Sequence, residues 1–302
     1  MPSDIGTKQN SPEALRLLRG ARQAYAQAKR LGKIQLGLSI SAALASPLAA
    51  QFAPEGQPYV ALYGAAVLFV DLLFIEAPAR RYQETGAQIQ ELFDAQVLAF
   101  PWKGRHRPDA EVRHLLAKEY GAGDKGAPLK NWYPSEVDVL PTEQARLVCQ
   151  RSNMKWDASL REHVWQLYAA ALLVLVLGAL TCAMVKNLSI AAAVVQILVP
   201  VIPVGVRLAR KLIEHKTAAE DSDRAKRDVD RLWSRVGSGE FTSRELDNEG
   251  ARCRRTSSNV VVGRLRFPMS CASGSAATEE QMAAAAAEMV DQALGAPPRA
   301  PS

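Results

Sequence analysis

The strongest constraint on this fold is an uninterrupted apolar run at residues 165–185, WQLYAAALLVLVLGALTCAMV, which contains no charged residue. At about 1.5 Å of rise per residue, a helix of this length spans roughly 30 Å, the thickness of a bilayer's hydrocarbon core. A core helix of a soluble protein is rarely apolar on every side over such a length. The run therefore predicts a transmembrane helix.

Three further stretches have similar length and are nearly as apolar: residues 34–52, 59–78 and 188–208. Short turns separate the first stretch from the second and the third from the fourth. We therefore predict an all-α integral membrane protein whose four transmembrane helices form two hairpins, residues 34–78 and 165–208.

Asp71 is an acidic residue within the second stretch, which also contains Glu76 near its end. A charge near the bilayer centre costs about 2.5 to 3.5 kcal/mol, which the large apolar side chains around it offset. Two interpretations stay open: Asp71 lines a membrane pathway or pairs across helices, or it lies near the inner end, hydrated beside Glu76 and either Arg80 or Arg81.

Lysine and arginine are distributed unevenly around the four stretches. Seven precede the first stretch, thirteen lie in residues 79–164 and fifteen follow Leu208, whereas the two turns together contain only Lys186. Under the positive-inside rule, both termini and the long loop are cytoplasmic. Anionic lipid headgroups account for the pI of about 9.2, so we expect no DNA or RNA partner.

The pattern along the chain predicts six segments: a cytoplasmic basic N-terminal helix (1–33), a transmembrane hairpin (34–78), a helical cytoplasmic loop and candidate sensing region (79–164), a second hairpin (165–208), a cytoplasmic helical stalk (209–236) and an irregular C-terminal region with a terminal helix (237–302). For the stalk, a short coiled coil and a solvated single helix are equally consistent with the spacing.

Signatures of catalysis are missing from the sequence. It contains no GxGxxG, P-loop, HExxH or GxSxG motif, its four histidines are scattered, and its four cysteines lack CxxC spacing. We therefore expect no enzymatic activity, no cofactor and no metal site.

The helix predicted before residue 165 has a polar face. Arg146, Gln150, Asn153, Asp157 and Arg161 follow one another at spacings of three or four residues. This face is either solvated or a binding surface, because arginine and amide side chains beside aromatic rings suit a nucleotide. The candidate ligand-binding residues are Trp132, Tyr133, Arg146, Gln150, Arg151, Asn153, Trp156 and Asp157.

The polar segments resemble a known family, the SMODS-associated four-transmembrane effectors of cyclic-oligonucleotide-based antiphage signalling (CBASS) in bacteria. The matching pieces are IQELFD (89–94), VLAFPW (97–102), WYP (132–134) and ARLVCQRSN (145–153). The resemblance covers about residues 12–236, and residues 253–275 depart from the family pattern.

This resemblance implies an effector in the bacterial inner membrane that senses a cyclic oligonucleotide and disrupts or permeabilises the membrane. We expect it to form a homo-oligomer. It assigns no ligand-contacting residue, so the candidates above rest on the helical face, with Asp71 as the candidate for the membrane pathway. The alternative is a membrane-anchored scaffold whose cytoplasmic loop binds a partner protein.

Overall fold

The structure, a computed structural model, describes residues 2–99, 114, 118, 129–185, 187, 189–237 and 276–294. Its helices are α1 (Ile5–Gln9), α2 (Pro12–Phe52), α3 (Gln57–Val70), α4 (Ala77–Val97), α5 (Thr142–Val185), α6 (Ile190–Ala193), α7 (Val199–Gly237) and α8 (Ala276–Ala293). Apart from one bridge between Pro2 and Pro141, these residues contain no β-structure. The all-α prediction is confirmed. Trp102 and residues 253–275 lie outside the described residues.

The chain divides into two compact units. We call Met1–Ala26, Gln83–Arg161 and Ala218–Ser302 the polar unit, and Gln27–Tyr82 with Glu162–Thr217 the apolar unit. Helices α2, α4, α5 and α7 contribute residues to both.

Two helical stretches of the described chain are long and apolar enough to cross a bilayer, Pro58–Val97 and Thr142–Val185. Their large apolar side chains are exposed, among them Leu68, Phe74, Leu167, Val174 and Leu177. A soluble monomer rarely exposes so much apolar surface. Residues 34–52 and 188–208 are not among these two stretches of the described chain. The structure therefore supports two of the four predicted spans, and the four-span arrangement is taken up below as a proposal.

Side chains from α2, α5 and α7 form the small core of the apolar unit. Ala43, Val204 and Leu208 are buried together, and Tyr168 and Leu172 pack against them. Small residues at such contacts let helix backbones approach closely.

Two π-helical turns interrupt the apolar helices. Asp71–Glu76 joins α3 to α4, and Val194–Leu198 joins α6 to α7. Turns of this kind are uncommon and occur frequently at functional sites. The first of them begins at Asp71, the acidic residue singled out above.

The core of the polar unit is built around the first half of α5. Val148 and Cys149 of α5 pack with Phe93 of α4, Leu17 of α2 and Tyr133, all of them almost fully buried. The rings of Phe93 and Tyr133 are stacked with their centroids 6.2 Å apart. Tyr133 is the second residue of the WYP motif, and the 3-10 turn after this motif, Ser135–Val139, leads into α5.

The second half of α7 does not form the predicted stalk. Ala218, Ala225, Val229 and Leu232 are buried at heptad-like spacing. Ala225 and Val229 pack against Leu147 and Met154 of α5 within the polar unit. Both earlier alternatives, a projecting coiled coil and a solvated single helix, are wrong because the partner of this apolar stripe lies in the same chain.

Candidate functional site

Asp71 and Arg207 form a buried ion pair in the apolar unit. The Nη2 atom of Arg207, in α7, contacts Oδ2 of Asp71. The other carboxylate oxygen accepts a hydrogen bond from the Gln35 amide of α2, and Arg207 Nη1 donates to the Ser39 hydroxyl at 2.6 Å. The Asp71 side chain is 8% exposed. Both of its oxygens are therefore satisfied by neighbouring helices, as a charge removed from water requires.

This arrangement decides between the two readings of Asp71. Glu76 and Arg80 pair with each other at 3.8 Å on the exposed surface, apart from the buried carboxylate. The hydrated alternative is therefore wrong. Sequence reasoning missed Arg207 as the partner, although a lone arginine at the end of an apolar stretch was a usable signal.

The polar face of α5 points into the polar unit. Arg161 is 2% exposed and Gln150 is 6% exposed, so the solvated-face alternative is wrong for them. Arg161 Nε donates to Asp157 Oδ2 at 2.7 Å, and that oxygen also accepts from Ser222 of α7 at 2.7 Å. This part of the face joins two helices.

Arg146 caps the end of α4. Its Nε donates to the Leu98 carbonyl at 2.6 Å, and its Nη2 donates to the Ala99 carbonyl at 2.7 Å. The last carbonyls of a helix have no partner within it, and a cationic side chain satisfies them well. Arg146 thus stabilises the end of α4 through these two hydrogen bonds.

Tyr133 is the centre of a buried hydrogen-bond network. Its hydroxyl donates to Asp94 at 2.8 Å and accepts from Asn153 at 2.9 Å, and its backbone exchanges two hydrogen bonds with the Gln9 amide. Burial, with the nearby Asp94 carboxylate, raises the pKa of Tyr133 well above its ordinary value. The phenol stays protonated and holds three segments together.

Gln150 differs from these residues because neither polar atom of its buried amide has a hydrogen-bond partner within the described part of the chain. The indole nitrogens of Trp132 and Trp156 and the Asn153 amide oxygen are in the same condition. Buried polar groups are nearly always paired with protein, water or a ligand. A primary amide matches the hydrogen-bonding edge of a nucleobase.

Arg151 lies on the flank of the same helix. Its Nε contacts Oδ1 of Asp230 in α7, and Lys226 reaches Oδ2 at 2.9 Å. The predicted ligand set therefore separates into residues that hold the fold (Tyr133, Arg146 and Asp157) and residues with unused donors or acceptors (Trp132, Gln150, Asn153 and Trp156), with Arg151 in an ion-pair cluster.

The described ranges contain no group of three His, Cys, Asp or Glu side chains that could hold a metal ion. Burial, assisted by Asp94 and Asp138, raises the pKa of the Cys149 thiol well above its ordinary value, which makes it unreactive.

Exposed apolar helices and a buried ion pair among them are typical of a helical membrane protein. The chain belongs to the family described as the SMODS-associating 4TM effector domain, which matches residues 3–261. It is also similar to a probable CBASS effector molecule of Bacillus cereus (strain VD146), with 26% identity over 208 residues that span 64% of this chain and 67% of the relative. No solved structure is significantly similar to it.

Proposed function

We propose that this protein is a homo-oligomeric, multi-pass effector of the bacterial inner membrane that senses a cyclic oligonucleotide and then permeabilises or disrupts the membrane. In this proposal, residues 34–78 and 165–208 form two transmembrane hairpins, and the polar unit and both termini are cytoplasmic. Family membership supports the role, and the exposed apolar helices support the location.

The sensing step is assigned to the unpartnered polar groups of α5 and the WYP segment. Gln150 and Asn153 offer amide groups, and Trp132 and Trp156 offer ring faces and indole donors. These groups suit a nucleobase, which is recognised by hydrogen bonds along its edge and by stacking. Ligand binding shifts the conformation only through a different affinity for the two states.

The observation that carries the membrane step is the Asp71–Arg207 ion pair. Charged residues among apolar spans are costly and usually mark a pathway or a switch. While paired, the two charges compensate each other and hold the π-helical turn of Asp71 against α7. When the Asp71 and Arg207 side chains separate, each charge becomes hydrated, and this favours the entry of water between the helices.

The test is ion flux from liposomes containing the purified full chain, with and without a panel of cyclic dinucleotides and cyclic trinucleotides. The wild type should release ions only with an active ligand. Asp71→Asn leaves Arg207 without its counter-charge, so ligand-independent flux should rise about tenfold or more.

Glu76→Gln is the matched control, because it removes the same charge from an exposed pair and should keep flux ligand-dependent. A wild type that inserts correctly yet gives no flux with any ligand, and an Asp71→Asn variant that behaves like Glu76→Gln, would contradict the proposal. The scaffold alternative predicts that outcome.

A further inference from the structure

A second group of charges in the polar unit is not explained by the proposed nucleobase contacts. Arg151 and Lys155 lie one turn apart on α5, and Lys226 and Asp230 lie one turn apart on α7. Arg151 and Lys226 each bind one oxygen of the single Asp230 carboxylate. Two cations therefore share one acidic group, and Lys155 lies one helical turn from the first of them.

The Asp230 carboxylate already forms ion pairs with Arg151 and Lys226. Lys155 makes no ion pair with any residue in the described part of the chain. Burial lowers the pKa of Lys155, and the positive charges of Arg151 and Lys226 lower it further, while Asp230 and Glu288 oppose them. The repulsion from the two cations thus adds to the cost of burying this ammonium group.

Structural ion-pair networks place charges of opposite sign next to one another. Here the side chains of Arg151 and Lys226 are about four-fifths shielded from water, at 20% and 22% exposure, which strengthens the repulsion felt by a third cation. An anion with several oxygens would relieve this repulsion. Arginine supplies a planar fork for phosphate oxygens, and lysine supplies a point charge.

We propose that Arg151, Lys155 and Lys226 form a phosphate-binding subsite, positioned by Asp230, that takes the phosphodiester groups of a soluble nucleotide. The assignment deepens the proposed function and rests on it for the identity of the ligand. Arg151 directly follows Gln150 in the sequence, so an amide suited to a base and a cation suited to a phosphate occupy adjacent positions on one helix.

Inorganic pyrophosphate is a suitable probe because it offers the anionic oxygens without a base. Its binding is measured by titration calorimetry on the full chain in an uncharged, phosphate-free maltoside detergent. Lys155→Gln and Lys226→Gln should each weaken binding about tenfold, the loss of one charge-assisted hydrogen bond. Lys8→Gln, which removes the same charge from an exposed pair in the polar unit, should leave affinity unchanged.

Stability separates a binding role from a structural one. Without pyrophosphate, Lys155→Gln should melt at the same temperature as the wild type or higher, because the substitution removes like-charge repulsion. With pyrophosphate, the melting temperature of the variant should rise less than that of the wild type. A wild type that binds no pyrophosphate, or a Lys155→Gln variant that binds it as well as Lys8→Gln does, overturns the subsite.

Two further measurements identify the source of the phosphate and distinguish failure of the subsite from failure of the proposed function. Displacement of pyrophosphate by short-chain phosphatidylglycerol, but not by cyclic dinucleotides or trinucleotides, would assign the cluster to lipid headgroups and overturn the soluble ligand. Ligand-triggered flux that is normal in Lys155→Gln overturns the subsite alone. The opposite result is also informative: pyrophosphate binds, Lys155→Gln and Lys226→Gln weaken it, Lys8→Gln does not, and no ligand triggers flux. That result supports the subsite and contradicts the proposed function.

Discussion

Tyr133 and Gln150 are both buried in the polar unit, but their hydrogen bonding differs. Tyr133 has Asp94 and Asn153 as partners, whereas the Gln150 amide has none in the described ranges. A buried amide without a partner lowers the stability of the fold by about 1–3 kcal/mol, so its presence requires an explanation. A satisfied network stabilises the fold, and an unsatisfied amide is available to a ligand.

Asp230 gives a residue-scale prediction about pH. Burial raises the pKa of its carboxyl, but the hydrogen bonds from Arg151 and Lys226 outweigh burial, so the folded-state pKa lies below the ordinary value. The stabilisation is therefore present above the unfolded pKa of about 3.9 and is lost as the pH falls through the folded pKa. Acid unfolding followed by circular dichroism should show this loss below about pH 4.

The matched variant for that measurement is Asp230→Asn, which cannot titrate. It should be less stable than the wild type at pH 7, and the difference should shrink as the pH falls below about 4. A difference that stays constant down to acid unfolding would show that the carboxylate charge does not stabilise the fold. Because the Asp230 side chain is 35% exposed, solvent screening keeps the expected effect small.

Local sequence signals predicted the helices well. Ser11 and Pro12 mark the start of α2, and the Ser11 hydroxyl accepts a hydrogen bond from the Ala14 backbone N–H. The continuous helical pattern from residue 141 corresponds to α5, Thr142–Val185. The two π-helical turns were not predicted, because they depend on packing around an inserted residue. The packing of the second half of α7 against α5 was also not predicted, because no local sequence pattern identifies a distant partner.

At the element scale, α2 and α4 approach closely at Gly86. A Cβ atom built there would lie 3.0 Å from the Tyr25 ring atoms Cε2 and Cζ. Gly86→Val places two further methyl groups against this buried ring, and overpacking of this kind costs about 1–3 kcal/mol. Thermal unfolding in detergent should show a clearly lower melting temperature.

Gly32→Val is the control for that contact, because nothing lies within 4 Å of the Cβ position of Gly32. Both variants introduce the same side chain into the same type of backbone, so helix propensity cancels in the comparison. Equal melting temperatures for the two variants would mean that α2 and α4 do not pack closely at this point.

Across the whole molecule, the candidate site was only partly predictable. Helical spacing correctly placed Gln150, Asn153 and Asp157 on one face of α5, because the 3.6-residue period is a local property. Whether that face meets water or protein is decided by distant segments. Asp230 and Arg207 were missed for this reason: their partners Arg151 and Asp71 lie more than 60 residues away along the chain.

The central claim is that four apolar stretches cross the inner membrane as two hairpins, with the polar unit in the cytoplasm. Its most direct test is labelling of intact cells with a membrane-impermeant maleimide, using a chain whose native cysteines are replaced by alanine. Single cysteines are introduced at Glu55 and Asn187, in the two turns, and at Glu136, in the polar unit; all three positions are exposed.

The account predicts that Glu55→Cys and Asn187→Cys are labelled in intact cells, whereas Glu136→Cys is labelled only after the cells are permeabilised. Labelling of Glu136→Cys in intact cells, or protection of either turn until permeabilisation, would contradict it.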